Sequence, residues 1–203
     1  MLIFCRYILI SALILITPLS SVLAASSGLL INNDSAMIYY LSEANNALPR
    51  NSRQQYSLML SKEPDPRNFL LIADAELLDY QRPLKKGRSL TPKITTFLAN
   101  FHDQQLLALG GGAIFRQPPN EFRKYGLLSE LLIAPHISNH SDTSSHPWEI
   151  EMKWSWSFKL QANYPLADDT EFNVGIRTIR MRIGNQPDSS FETGPYIGLS
   201  SHF

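Results

Sequence analysis

Cysteine is almost absent from this 203-residue chain: the single Cys5 excludes a disulfide framework, a thiolate zinc site and an iron–sulfur cluster. There is no excess charge of either sign. Eighteen Lys and Arg balance eighteen Asp and Glu, so overall charge gives no basic face for nucleic acid, and no polybasic or acidic tail stands out. Beyond the first 24 residues no apolar run approaches the roughly 20 residues that a membrane helix needs. The longest pieces, such as 69–73 and 131–134, are far shorter. What the chain does have is 44% hydrophobic and 10% aromatic residues, which suits one packed domain rather than a disordered protein.

The N-terminus reads separately from the rest. Arg6 precedes an apolar stretch over 7–16, then Pro18 and the small-residue pattern Val22-Leu23-Ala24. This pattern predicts a secretory signal peptide over 1–24, cleaved after Ala24 or Ala25, and a single domain over 25–203. Cys5 leaves with the leader. The exported chain then has no thiol, and must be stabilised by a core, a membrane or a partner rather than by crosslinks.

The strongest pattern is alternation over 149–164. Glu149, Glu151, Lys153, Ser155, Ser157, Lys159, Gln161 and Asn163 share one parity, while Ile150, Met152, Trp154, Trp156, Phe158, Leu160, Ala162 and Tyr164 share the other. On a helix, residues two apart point to opposite sides; on a strand they share a face. Sixteen residues without a break exceed an ordinary soluble strand, but suit a tilted membrane strand with aromatics toward lipid and charges toward a lumen. Weaker versions predict strands at 36–45, 53–62, 68–80, 91–101, 105–116, 122–134, 170–183 and 194–203. Loops are expected at 81–91, 117–121, 136–147, 165–169 and 184–193. The run Gly110-Gly111-Gly112 suits a bulge or a crowded lumen. In 170–183 the apolar parity shifts from Phe172, Val174 and Ile176 to Ile179, Met181 and Ile183, which predicts a bulge near Arg177.

The predicted fold is an all-β, antiparallel transmembrane barrel. Nine strands cannot close a single-chain bacterial barrel with both ends on one side, because each strand reverses direction. Either 36–45 is not a membrane strand, giving eight, or Leu29–Asn32 hides another, giving ten. The small chain and modest loops favour eight. With a periplasmic C-terminus, the short 165–169 turn falls inside and the longer 136–148 and 184–193 connections fall outside.

The last residues, Tyr196-Ile197-Gly198-Leu199-Ser200-Ser201-His202-Phe203, end in an aromatic with a glycine five positions earlier. Gly198 and Phe203 thus resemble the carboxy-terminal signal that barrel-assembly machinery recognises, although Ser201 stands where an apolar residue is usual. The chain also resembles the YfaZ-type outer-membrane proteins. The resemblance rests on residues 107–112, on Glu130 followed by three apolar residues and Ala134-Pro135, on Val174-Gly175-Ile176-Arg177, and on Gly194-Pro195-Tyr196-Ile197-Gly198 with Phe203. It covers roughly 105–203. It implies a small barrel in a Gram-negative outer membrane, in contact with lipid and lipopolysaccharide, and supplies no catalytic residue or cofactor.

Residue by residue, Asp74, Glu76, Glu130, Glu149, Glu151, Lys153, Lys159 and Arg177 are expected to line the lumen as a salt-bridge network, with Arg180 or Arg182 joining according to the bulge. Trp154, Trp156 and Phe158 are expected to face lipid. His136, His140 and His146 share a Ser/Asp-rich loop without a firm metal-ligand spacing, so no metal site is assigned. His136-Ile137-Ser138-Asn139 looks like the His-x-Ser-Asn motif of outer-membrane lipid A 3-O-deacylases, in which His is the base and Ser the nucleophile; Glu149 or Glu151 would orient the His. Pro135 and the polar stretch after the motif argue for an exposed loop instead. Three functions follow. The leading one is a non-enzymatic envelope barrel or minor pore. A lipid A hydrolase and a soluble periplasmic barrel binding an apolar ligand stand behind it, and the last requires Trp154, Trp156 and Phe158 to point inward.

Overall fold

The structure, a computed structural model, describes residues 24–42, 51–61, 69–101, 104–140, 154–181 and 189–202. The predicted leader with Cys5, the carboxylates Glu149 and Glu151, Lys153 and the terminal Phe203 lie outside these residues. So does His146.

Eleven strands form one antiparallel sheet: β1 (Ala24–Asn32), β2 (Ser35–Ser42), β3 (Ser52–Ser61), β4 (Phe69–Leu77), the two-residue β5 (Arg82–Pro83), β6 (Ser89–Phe101), β7 (Gln104–Gln117), β8 (Gly126–His140), β9 (Trp154–Ala167), β10 (Thr170–Met181) and β11 (Ser189–His202). Each long strand pairs with its chain neighbours, β1 pairs with β11, and β4 pairs with β6 past the short β5. The sheet therefore closes on itself as a ten-stranded barrel with no free edge. Among the described residues no helix is long and apolar enough to cross a membrane, which says nothing of crossing by strands.

The strand number is ten rather than the favoured eight. The hidden strand is β1, and its composition explains why it was obscure. Leu30 points into the barrel and is 2% exposed, while Leu29 and Ile31 point out and are 42% and 43% exposed. With apolar residues on both faces, alternation disappears. The same physics corrects the bulge expected near Arg177. Strand β10 keeps one parity against β9 from Glu171 to Met181, so Ile179 and Met181 are buried inside and Arg180 is exposed outside. The irregularity lies on β11, where Phe191 is skipped between the pairs Ile179 with Glu192 and Arg180 with Ser190.

Several loop expectations also change: β9 runs on to Ala167, and 81–91 contains β5 and the start of β6. Residues 136–140 continue β8 instead of opening a loop, and 189–193 begin β11. In β8 the pairs Ala108 with His136 and Leu107 with Ser138 leave Ile137 as an extra, bulged residue. Ala24 and His202 lie at one end of the barrel, called here the terminal mouth, together with the Asp168–Asp169 turn. That mouth also carries the longer 78–88 and 118–125 connections, whereas the two-residue turn at 33–34 lies at the distal end. Loop length alone does not separate the two ends. The turn at 33–34 is stabilised by Asn32, whose side-chain oxygen accepts hydrogen bonds from the backbone amides of Asp34 and Ser35 at 2.7 and 2.6 Å.

Gly110 and Gly112 permit the closest strand approach. A Cβ at Gly112 would lie 1.8 Å from the Leu131 carbonyl oxygen, and one at Gly110 would lie 2.0 Å from that of Ile133. No other residue fits there, so the glycine run serves the crowded wall between β7 and β8.

Candidate functional site

The barrel interior is layered along its axis. Its distal part holds an apolar cluster, in which Met59, Leu70, Phe97, Leu106, Ile179 and Met181 are all essentially inaccessible to solvent, beside the buried Ser155, Ser157 and Glu192. Toward the middle the inward positions turn ionic, and toward the terminal mouth they turn polar. The change follows from single strands. Along β6 the inward residues run Ser89, Thr91, Lys93, Thr95, Phe97 and Ala99, from polar mouth through a buried cation to the apolar end.

Lys93 organises the ionic layer. Its ammonium lies 3.1 Å from Asp74 Oδ2 and 2.6 Å from Glu130 Oε2, with all three side chains buried. Glu130 sits on β8, beyond β7. Lys93 pairs across the sheet with Gly112 of β7, and because Gly112 has no side chain the lysine can cross that strand to reach the carboxylate. Lys159, the cross-strand partner of Glu130, lies 3.9 Å from its other oxygen. A second cluster holds Arg177, whose Nε and Nη2 donate to Glu192 Oε2 at 3.0 and 2.6 Å. Glu192 Oε1 accepts from Asn32 Nδ2 at 2.6 Å, and the Arg177 guanidinium lies over the Tyr196 ring at 5.4 Å. A third joins Glu76 to Arg116 at 2.5 Å and to Arg53 at 3.8 Å.

Hydrogen bonds extend from the ionic layer toward the mouth. The Tyr196 hydroxyl donates to Gln161 Oε1 at 2.7 Å; Gln161 Nε2 donates to Asn173 Oδ1 at 3.1 Å; Asn173 Nδ2 donates to Ser200 Oγ at 3.0 Å. Glycines make room for the rings. A Cβ at Gly175 would lie 2.8 Å from the Tyr196 hydroxyl, and one at Gly28 would lie 2.6 Å from the Tyr39 ring. Each ring thus occupies the space that a side chain at the glycine would fill.

The structure thus buries Asp74, Glu76, Glu130, Lys159 and Arg177 inside the barrel and joins each to a counter-ion. It adds partners that sequence reasoning missed: Arg53, Lys93, Arg116, Glu192 and Asn32. Trp154, Trp156 and Phe158 alternate with the buried Ser155, Ser157 and Lys159 and face outward. That removes the condition on which a soluble barrel with an aromatic ligand pocket depended. Gly198 lies in β11 opposite Leu30. His136 and Ser138 lie near the distal end of β8, separated by the bulged Ile137, in register with Ala108 and Leu107, which occupy opposite faces of β7. Their proposed acid, Glu149, is outside the described residues, so no triad geometry follows. Among the described residues no three His, Cys, Asp or Glu side chains converge as metal ligands would.

At the terminal mouth the polar layer opens into a cavity of about 410 Å³, reaching inward to Leu30, Met37, Ile114 and Lys159. No family model, no curated protein and no solved structure matches the chain.

Proposed function

We propose that the protein is a non-enzymatic outer-membrane β-barrel of a Gram-negative envelope, with a sealed lumen. The chemistry of the outer face carries this reading. Leu29, Ile38, Leu60, Ile94, Leu131 and Ile176 are among many large apolar side chains exposed there, spread around the whole barrel. Among the described outward positions of the ten long strands, Arg180 alone is charged. An apolar surface of that extent invites association in water and matches hydrocarbon. The height fits as well. From Trp154 to Tyr164 the outward face of β9 spans ten rises of about 3.3 Å, which at the usual barrel tilt gives an apolar band about 25 Å tall. Arg180 lies near the distal limit of that band with its guanidinium 5.9 Å from the centre of the Trp156 ring, a placement suited to a side chain reaching for the polar boundary.

Lipid and lipopolysaccharide are then its surroundings, Gly198 and Phe203 its assembly signal, and the YfaZ-type proteins its proposed family. Fractionation combined with heat-modifiability tests the reading. The protein should be recovered with outer membranes and migrate as a compact band in detergent until boiled. Recovery in the soluble periplasmic fraction, with no heat-dependent shift, would overturn it. Lipid-borne quenchers supply a second measurement: they should reduce the fluorescence of Trp154 and Trp156.

One observation favours the hydrolase reading, namely that Ser138 belongs to a barrel strand rather than to a surface loop. Against it, the bulge at Ile137 breaks the regular spacing between base and nucleophile. Lipid A from cells with and without the protein should carry the same ester-linked acyl chains. A chain lost in the presence of the protein, and retained with Ser138→Ala, would make it a deacylase.

A further inference from the structure

The cavity at the terminal mouth has an unequal charge balance. Arg53, Arg116 and Lys159 line it, against the single carboxylate Glu171. The counter-ions of the three cations are shared and recessed. Arg53 and Arg116 both depend on Glu76, whose side chain is wholly buried while theirs are 35% and 28% exposed. One carboxylate cannot neutralise two guanidiniums, and the accessible part of this cluster is positive. Arg53 is the less committed of the pair: its contact with Glu76 is 3.8 Å, and its Nε is buried with no hydrogen-bond partner. Lys159 likewise holds Glu130 only at 3.9 Å, because Lys93 takes the other oxygen at 2.6 Å. Deeper in, Leu30, Met37 and Ile114 give the cavity an apolar floor.

We propose that this cavity binds a small water-borne organic anion, a carboxylate or phosphate monoester bearing a short apolar chain. Arg53 and Arg116 take the anionic group, since guanidiniums present paired donors that match carboxylate and phosphate oxygens. The apolar chain rests on Leu30, Met37 and Ile114. A volume of about 410 Å³ lies at the small end of ligand sites, which sets the size class. The wall around it is continuously paired from β3 through β4 and β6 to β7, so a ligand enters from the mouth and a surrounding diacyl lipid has no lateral path. The inference rests on the barrel interior and is independent of where the barrel resides.

Titration calorimetry on the folded full chain in an uncharged detergent tests it, with butyl phosphate, butylammonium and dihexanoyl phosphatidylglycerol as probes. Butyl phosphate should bind saturably at one site, and butylammonium should give no saturable heat. Arg53→Gln with Arg116→Gln should weaken binding at least tenfold, whereas Glu171→Gln, which removes the opposing carboxylate, should strengthen it several-fold. If the double variant fails to fold, Ser89→Trp fills the same mouth without breaking an ion pair and should abolish binding. No saturable binding of butyl phosphate, equal binding of butylammonium, or wild-type affinity in folded Ser89→Trp would overturn the proposal. Binding of the phosphatidylglycerol alone would overturn the water-borne assignment in favour of a lipid headgroup.

Discussion

Lys93 is the residue on which the interior most depends, because among the described residues it alone stands within hydrogen-bonding distance of both Asp74 and Glu130. Removing a charge from a buried cluster leaves its partners uncompensated, at a cost of about 3–5 kcal/mol. Lys93→Met should therefore destabilise the barrel by about that amount, read as a lower urea midpoint for loss of the heat-modifiable band; a change below about 1 kcal/mol would mean that water reaches the layer and solvates the carboxylates. Outside, the penalty has a different origin. Phe158→Arg places a charge on the apolar band and should cost about 2–4 kcal/mol if the site is near mid-bilayer, measured by unfolding from vesicles. In soluble surroundings the same change would cost almost nothing. These roles were unequally legible in the sequence. Asp74 and Glu76 stood out because Ala73, Ala75 and Leu77 alternate with them. Lys93 did not, since Thr91, Thr95 and Thr96 fall on both parities around it. Glu192 lay in an expected loop, and Arg53 and Arg116 were lone charges at strand ends.

At the scale of elements, alternation reveals a strand only where its two faces differ in polarity. Strand β9 was clear because serine and lysine face in while tryptophan and phenylalanine face out. Strand β1 was hidden and β10 misread because Leu30, Ile179 and Met181 enter the apolar part of the interior, so both faces are hydrophobic at that level. The distal apolar layer thus accounts for both errors. The glycine run was readable as crowding, but only the register identifies which neighbour is close. Gly112→Val would drive a side chain into the Leu131 carbonyl and force β7 from β8. It should abolish the folded band. Ala113→Val, one residue on and facing outward between the same strands, should leave the band intact. Equal behaviour of the two variants would show that the β7–β8 approach is looser than described.

The whole molecule is decided by how ten strands are filled. Barrel diameter grows with strand number, and ten strands enclose more room than the eight whose interior side chains just fill. Here the additional space is divided along the axis. The terminal part retains a cavity of about 410 Å³, whereas the distal part is packed with Met59, Leu70, Phe97, Leu106, Ile179 and Met181. On the proposed reading the result is a blind vessel rather than a channel. A hydrated ion entering at the mouth meets a buried ionic layer and then an apolar plug, where hydrophobic constrictions block conduction by excluding water. Reconstituted protein should accordingly show no stepwise conductance in planar bilayers, even at high salt. Phe97 is the largest apolar side chain fully buried in this plug. Phe97→Ser removes its bulk and supplies a hydroxyl that can hold water, at about 3–5 kcal/mol of stability by analogy with large-to-small core changes. If the variant still folds, small-ion conductance should appear, while Phe158→Ala on the outer face should remain silent. Stepwise currents through the unaltered protein would instead show that the plug opens, and the sealed-lumen reading would fail.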